Sequence, residues 1–204
     1  MTDNALNTAA DLLYKRELST RYGPWTEFCF RYATSDILVL AYGDWSQAPH
    51  VTVRVHSTCT AAHYFNSTEC DCREQLDMAF ARIVELGAGL IVLLDQDGRG
   101  NGHVALMRAA QYAKQKGTTQ SQAYEALGYP CDARSFEGAA VVLSKLGISS
   151  VTLLSNSPAK SSALTQRGID VRTERLMLPA DGDGSMADYY AKKALEGYTT
   201  GPTD

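Results

Sequence analysis

Three of the five cysteines of this 204-residue chain lie within fourteen residues, and this cluster limits the fold more than any other feature. Cys70 and Cys72 are separated by one residue, which is too close for an easy mutual disulfide. The odd cysteine count and the polar N-terminal stretch, residues 1–16, predict a cytoplasmic protein without a disulfide framework. Clustered cysteines in such a protein more often hold a metal, so we expect Cys59, Cys70 and Cys72 to meet in space.

The residue types around the cluster leave its chemistry open. Three thiolate ligands and one open position are typical of a catalytic zinc site, where the metal activates water near neutral pH. A structural zinc with Cys131, His56 or His63 as fourth ligand is equally compatible with the spacing. A set of reduced cysteines in a hydrophobic core, without metal, is the third interpretation.

The hydrophobic pattern predicts an α/β protein with a mixed sheet and packed helices, in a single domain over residues 1–204. Apolar residues at helical spacing predict an additional N-terminal helix over about residues 4–16. The other predicted helices cover residues 75–86, 103–116, 119–127, 133–146, 158–166 and 185–198, and the predicted strands cover 25–32, 37–42, 51–56, 90–94, 151–154 and 169–175.

The net charge and hydropathy of the chain limit the kinds of partner that we expect it to bind. The net charge of −4 predicts no generally basic surface for nucleic acid, although it leaves room for a local anion pocket. The longest apolar runs, such as residues 87–94, are far too short to span a bilayer. We therefore expect a small-molecule ligand and neither a nucleic-acid nor a membrane partner.

A glycine-rich stretch, Asp-Gln-Asp-Gly-Arg-Gly-Asn-Gly over residues 95–102, directly follows the predicted strand 90–94. Alternate glycines before a helix let the backbone approach an anion closely, and Arg99 can bind a phosphate through two parallel hydrogen bonds. An ordinary glycine-rich turn is the alternative interpretation.

A carboxylate and a guanidinium lie two residues apart at Asp132 and Arg134, just before a predicted helix. One interpretation makes Asp132 the N-cap of that helix and Arg134 a surface charge. The functional interpretation makes Asp132 a proton acceptor and Arg134 a phosphate contact.

In their order along the chain, these motifs resemble those of the GTP cyclohydrolase II family. The resemblance covers about residues 20–195 and rests on Arg54-Val55-His56-Ser57-Thr58-Cys59, Cys70-Asp71-Cys72, Asp97-Gly98-Arg99-Gly100, Leu127-Gly128-Tyr129 with Asp132 and Arg134, Leu153 to Lys160, and a tail with Tyr189-Tyr190 and Lys192-Lys193. The family fold is expected to follow.

The resemblance implies a homodimeric hydrolase of riboflavin biosynthesis that opens the imidazole ring of GTP at C8. It implies release of formate and pyrophosphate, giving a diaminopyrimidinone ribosyl phosphate. One Zn²⁺ per chain on Cys59, Cys70 and Cys72 is implied, with Mg²⁺ on the substrate phosphates. Asp132 matches the proton acceptor, and Arg134 matches the arginine that attacks the α-phosphate. The implied substrate-binding residues are Arg54, Gln75, Asp97, Gly98, Arg99, Ser155 and Lys160.

The glycine-rich loop and the next helix depart from the family pattern. Asp95 reverses the charge of a family arginine, and Asp97 is one methylene shorter than the family glutamate. The position of a catalytic family tyrosine falls on Ala110 or Gln111, so Tyr112 is catalytic only if the helix register shifts.

Three interpretations of the function follow from these departures. The first is a GTP cyclohydrolase that completes the reaction or stops at a formamidopyrimidine after one hydrolysis. The second is a paralogue that opens the ring of a different nucleotide or heterocycle. The third is a catalytically idle zinc-binding regulator, which the retained cysteines and the Asp132–Arg134 pair disfavour.

Overall fold

The computed structural model describes residues 9–176 and 187–198, which form a seven-stranded mixed sheet with packed helices, and this confirms the expected fold class. The strands are β1 (Asp11–Thr20), β2 (Gly23–Tyr32), β3 (Ser35–Tyr42), β4 (Val51–Ser57), β5 (Gly89–Leu94), β6 (Ser150–Leu154) and β7 (Asp170–Glu174). The helices are α1 (Thr60–Phe65), α2 (Cys72–Leu86), α3 (His103–Lys116), α4 (Gln120–Ala126), α5 (Glu137–Lys145), α6 (Pro158–Gln166) and α7 (Ala187–Leu195).

The strand order is β1-β2-β3-β5-β4-β6-β7. Pairing is antiparallel from β1 to β5, where short turns join the first three strands, and parallel from β5 through β4 and β6 to β7. Parallel neighbours need crossover connections, which is why helices alternate with strands in the second half of the chain.

The sheet separates two hydrophobic cores. Neighbouring residues of β3 and β5 point to opposite faces, as the two-residue period of a strand requires. Val39 and Val92 lie in the core that includes α5, whereas Leu40 and Ile91 lie in the core that includes α2. The helix that begins at Cys72 is thereby fixed to one face of the sheet.

The prediction of a helix over residues 4–16 is wrong for the part that the structure describes, because residues 11–16 belong to β1. This strand pairs with β2 from Asp11 opposite Arg31 to Thr20 opposite Gly23. The apolar spacing predicts a buried face, yet Leu12 and Leu13 are both 49% exposed. Backbone pairing with an available strand edge therefore decides the conformation.

Two further differences concern the helices. The structure adds α1, which was not predicted, and begins α5 at Glu137 instead of residue 133. The predicted start of the last helix at Ser185, the predicted flexible stretch 179–184 and residues 1–8 lie outside the described residues. Among residues 9–176 and 187–198, every helix is too short or too polar to cross a membrane.

Candidate active site

The predicted site residues gather at one edge of the sheet. Cys59 follows β4, the glycine-rich loop follows β5, and Ser155 follows β6. These three strands run parallel, so their carboxyl ends meet at the same edge. Ligands of open α/β sheets bind at this edge, in the space that the loops after the strands enclose.

The three clustered cysteines come together there. Cys59 precedes α1, Cys72 opens α2, and the ligand atoms of Cys59, Cys70 and Cys72 all lie within 4.8 Å of one another. The Sγ atoms of Cys59 and Cys70 are 3.8 Å apart. In the described part of the chain, no histidine, carboxylate or fourth cysteine belongs to this group. The geometry therefore favours three protein ligands with one open position over the four-ligand structural site.

The thiols interact strongly with one another. Hydrogen bonds from Cys70 and Cys72 lower the pKa of Cys59, and hydrogen bonding to Cys59 raises the pKa of both partners. One thiolate is thus stabilised by its neighbours, whereas further thiolates are opposed by like charge and burial. A divalent cation at this position would offset that repulsion, so the donor set fits a metal.

Two histidines support the cluster and do not belong to it. The His63 Nδ1 atom lies 3.2 Å from the backbone N–H of Cys59, and the Nε2 atoms of His63 and His56 are 3.0 Å apart. Burial first, and then the nearby cations of Arg54 and Lys160, lower the pKa of His56 well below its usual range. A neutral His56 therefore holds the His63 ring in place through the contact between their Nε2 atoms. His63 in turn orients the backbone at Cys59.

A buried hydrogen-bond chain leads from β4 to the residue between two of the cysteines. Arg54 donates to Gln75 Oε1 over 2.7 Å and to the Leu154 carbonyl over 2.9 Å, and Gln75 donates to Asp71 Oδ2 over 2.5 Å. Burial lowers the pKa of Arg54 to about 10. The buried Arg54 Nε atom has no partner among the described residues, which leaves one donor for a ligand.

The glycine-rich loop is held in a left-handed conformation. Gly98 and Arg99 have φ angles of +59° and +58°, and the Gly98 carbonyl accepts from the Tyr124 hydroxyl over 2.8 Å. A Cβ atom on Gly98 would lie 3.2 Å from Leu106 Cβ and 3.3 Å from the Tyr124 hydroxyl oxygen. Glycine at this position thus serves both the backbone conformation and the close packing of the loop on α3 and α4.

The Asp97 carboxylate contacts both the backbone of the glycine-rich loop and the start of α3. Its Oδ1 atom accepts from the Gly98 N–H over 2.8 Å, and its Oδ2 atom lies 2.9 Å from His103 Nδ1. Burial raises the pKa of Asp97, but hydrogen bonds from Thr60, His103 and Gly98 outweigh this effect and leave the pKa lowered. This contact links Asp97 in the loop to His103 at the start of α3.

Asp132 and Arg134 form an ion pair with two hydrogen bonds in the segment before α5. The Arg134 Nε and Nη2 atoms donate to the two Asp132 carboxylate oxygens over 2.9 and 2.6 Å. The N-cap of α5 is Phe136, so the interpretation of Asp132 as a helix cap is wrong. The Ala133 N–H donates to the Arg99 carbonyl over 2.9 Å and ties this segment to the glycine-rich loop.

Lys160 lies in the first turn of α6, and Ser155 directly follows β6. The Lys160 ammonium donates to the Val55 carbonyl over 2.8 Å and lies 5.5 Å from the centre of the Phe136 ring. Burial, and then the charges of Arg54 and Arg134, lower the pKa of Lys160 well below its usual range. A ligand anion would relieve this cluster of buried cations.

Tyr112 lies apart from these groups. It packs against a small hydrophobic cluster of α3 and α4 that consists of Ala105, Ala109, Ala123 and Tyr124. At 100° per residue, Tyr112 is rotated about 180° from His103 at the helix start, whereas Ala110 lies within about 20° of it. The exposed Ala110, and not Tyr112, therefore shares the helix face of His103.

The C-terminal segment supplies contacts that the sequence analysis did not assign. Tyr189 and Lys193 donate to Asp71 Oδ1 over 2.6 and 3.3 Å. Glu196 binds Arg99, and Tyr198 accepts from Arg134 over 2.7 Å. Tyr189 and Lys193 lie in the tail that carried part of the resemblance, but no pattern in the sequence indicated that Glu196 reaches Arg99.

Comparison with known proteins identifies the family of this chain. The sequence profile of a family described as GTP cyclohydrolase II matches residues 12–177. A GTP cyclohydrolase-2 from Neisseria meningitidis is 38% identical over 162 residues, covering 79% of this chain and 81% of that relative.

Two other relatives are longer proteins. A GTP cyclohydrolase-2 from Xylella fastidiosa is 40% identical over 140 residues, covering 69% of this chain and 35% of the relative. The riboflavin biosynthesis protein RibBA from Salinispora tropica is 35% identical over 186 residues, covering 90% of this chain and 46% of the relative. The chain thus spans between a third and a half of the length of these two proteins.

Proposed function

Because the chain belongs to the GTP cyclohydrolase II family, we propose that it is a zinc-dependent hydrolase that opens the imidazole ring of GTP at C8. The products are formate, pyrophosphate and a diaminopyrimidinone ribosyl phosphate, so the enzyme serves riboflavin biosynthesis. The observation that carries this proposal is the group of three cysteine ligand atoms within 4.8 Å of one another. The Thr60 N–H, next to Cys59, lies 3.4 Å from Asp97 Oδ1 in the glycine-rich loop, and Ala133 between Asp132 and Arg134 binds the same loop.

Cys59, Cys70 and Cys72 are the residues that would hold Zn²⁺. The chemistry that Zn²⁺ supplies at a site with three protein ligands is activation of water near neutral pH. His63 supports this assignment through its contact with the Cys59 backbone, because groups that orient the ligands tune such sites.

Asp132 is the acceptor for protons released as water adds to the purine. Burial raises the pKa of Asp132, but the hydrogen bonds and charge of Arg134 outweigh this effect and leave the pKa lowered. The carboxylate is therefore ionised, and able to accept a proton, over the whole neutral range.

Arg134 serves as a contact to the substrate phosphates in our proposal. Pairing with Asp132 and Tyr198 keeps the pKa of Arg134 above its ordinary value. A protonated guanidinium has no free electron pair for attack on the α-phosphate, whereas its N–H groups suit a phosphate oxygen. The same reasoning makes Arg99, with the backbone of Gly98, a phosphate contact.

Three further residues are predicted contacts. Arg54 offers its unpartnered Nε donor, the ammonium of Lys160 is buried in α6, and Ser155 directly follows β6. Gln75 and Asp97 act through Arg54 and the glycine-rich loop, respectively. Mg²⁺ on the substrate phosphates and a homodimeric state complete the proposal, as the family resemblance implies.

The experiment that tests this function is incubation of zinc-loaded protein with Mg²⁺ and GTP, followed by mass spectrometry and separate assays for formate and pyrophosphate. We expect GTP to be consumed with release of both. Cys70→Ser is expected to be inactive and Cys131→Ser active, because Cys131 lies outside the thiol cluster.

Other outcomes separate the remaining interpretations. Conversion of GTP to a formamidopyrimidine without formate would indicate that the reaction stops after one hydrolysis, as the absence of a tyrosine at Ala110 suggests. Consumption of another nucleotide in place of GTP would favour the paralogue interpretation. Binding of zinc without turnover of any nucleotide in a panel would contradict the proposed enzyme.

A further inference from the structure

The C-terminal segment, defined here as residues 187–198, covers the predicted phosphate contacts. It consists of α7 and the three residues that follow. Its side chains bind three groups of the site, namely Asp71 beside the cysteines, Arg99 in the glycine-rich loop and Arg134 in the segment before α5. A surface helix with no role at the site has no reason to converge on these three groups.

The contact between Glu196 and Arg99 is the most consequential of these. The Arg99 Nη2 atom lies 2.5 Å from Glu196 Oε2, and the backbone N–H of Ser121 donates to Glu196 Oε1 over 2.9 Å. The side chains of Arg99 and Glu196 are only 12% and 9% exposed. An ion pair this buried is screened weakly by salt, so it neutralises Arg99 effectively.

The carboxylate of Glu196 is held as an anion. Burial raises its pKa, but the hydrogen bond and charge of Arg99, together with the Ser121 N–H, outweigh burial and leave the pKa lowered. The other terminal nitrogen of Arg99, Nη1, donates to the Ser121 hydroxyl over 2.7 Å. Both terminal nitrogens of the guanidinium are thus engaged by the chain itself.

We propose that Glu196 is a specificity-determining residue whose carboxylate occupies the place at Arg99 that a substrate phosphate requires. A phosphate that reaches Arg99 has to displace Glu196, since two anions cannot share one guanidinium edge without a further cation. This inference rests on the proposed function, because it takes Arg99 as a phosphate contact. A cavity of about 200 Å³, lined in part by Arg99, Asp132, Ser157 and Glu196, lies where the displaced groups and the phosphate would meet.

Occupation by Glu196 has a consequence for substrate choice. Binding of a nucleotide polyphosphate is weakened by the free energy needed to break the Arg99–Glu196 pair. A substrate that makes no contact with Arg99 is unaffected. Glu196 therefore lowers the advantage of a triphosphate over less phosphorylated compounds.

The test is calorimetric titration of zinc-loaded protein with inorganic pyrophosphate in excess Mg²⁺. Hydrogen bonds to charged groups contribute about 1.5–3 kcal/mol, so Glu196→Gln is expected to tighten pyrophosphate binding about tenfold or more. Glu125→Gln removes the same charge from an exposed position on α4 and is expected to leave binding within about twofold. Zinc content measured after each titration controls for metal loss.

The double variant Arg99→Gln/Glu196→Gln localises the effect. It is compared with Arg99→Gln alone, and the two are expected to bind pyrophosphate equally. Glu196→Asp keeps the charge but withdraws it by one methylene, and its affinity is expected to lie between those of the wild type and Glu196→Gln.

Two results would overturn the inference. The first is unchanged or weaker pyrophosphate binding by Glu196→Gln, which would make Glu196 a support for Arg99. The second is tightening that persists without Arg99. The titration needs no turnover, so the two proposals can fail separately. Tighter pyrophosphate binding by Glu196→Gln without GTP turnover would refute the proposed function alone. GTP turnover without tighter binding would refute only the role of Glu196.

Discussion

The hydroxyl of Tyr124 provides a direct way to test how the glycine-rich loop is held. Tyr124 is fully buried, and its hydroxyl donates to the Gly98 carbonyl over 2.8 Å across the interface of α4 and the loop. Tyr124→Phe removes this donor and leaves the ring in place. The Gly98 carbonyl then keeps only its second donor, the Asn101 N–H at 3.1 Å.

The expected cost follows from the burial of that carbonyl. Loss of one of the two hydrogen bonds to a buried carbonyl costs about 1 kcal/mol of unfolding free energy. For a domain of this size, 1 kcal/mol corresponds to a shift in Tm of about 2–4 °C, so we expect a decrease of that size. The loop also positions Arg99, and a several-fold rise in KM for GTP is expected with a smaller change in kcat.

Urea unfolding monitored by circular dichroism measures the first effect, and initial rates at varied GTP concentration measure the second. Tyr129→Phe is the matched control, because Tyr129 packs on the same small hydrophobic cluster while its hydroxyl contacts only the exposed Arg108 among the described residues. We expect it to cost less than about 0.5 kcal/mol. Equal costs for the two variants, or an unchanged KM for Tyr124→Phe, would refute the reasoning.

Four further predictions concern the chemistry. Arg134→Ala is expected to lose turnover and keep its zinc, as measured by metal analysis beside the rate; loss of the metal would indicate a structural role. The lowered pKa of Asp132 means that its carboxylate becomes protonated only as pH falls below the ordinary value of about 4. This group should therefore cause no decrease in rate between pH 8 and pH 5. A decrease in that range that Asp132→Asn abolishes would contradict this assignment. Asp95→Arg is expected to lower KM for GTP, and an unchanged KM would place residue 95 away from the phosphates. If the wild type stops after the first hydrolysis, Ala110→Tyr is expected to raise the amount of formate released per GTP consumed. An unchanged ratio in that case would show that this helix face takes no part in the second hydrolysis.

Local patterns were sufficient for the cysteine cluster and for most of the elements around it. The alternation of Val51, Val53 and Val55 predicted β4, and the apolar run 90–94 predicted β5. Because the two strands are parallel neighbours, their following loops had to meet, and Cys59 had to approach the glycine-rich loop. The position of the candidate site is in this sense a consequence of short-range sequence patterns.

Long-range contacts set the features that were missed. Residues 11–16 become a strand because β2 offers a free edge, which no local pattern reports. The start of α5 was also missed: the helix begins later than the apolar pattern suggested, so Asp132 pairs locally with Arg134 and does not cap it. Glu196 lies 97 positions beyond its partner Arg99, so the contact depends on the whole fold.

The central claim is that Cys59, Cys70 and Cys72 alone among the protein's side chains hold a catalytic metal. The measurement that tests it most directly is the absorption spectrum and metal stoichiometry of the protein loaded with Co²⁺ in place of Zn²⁺. We predict one Co²⁺ per chain with thiolate charge-transfer bands and intense tetrahedral bands, retained in Cys131→Ser and lost in Cys70→Ser. Retention of the bands in Cys70→Ser, or their loss in Cys131→Ser, would contradict the three-cysteine site.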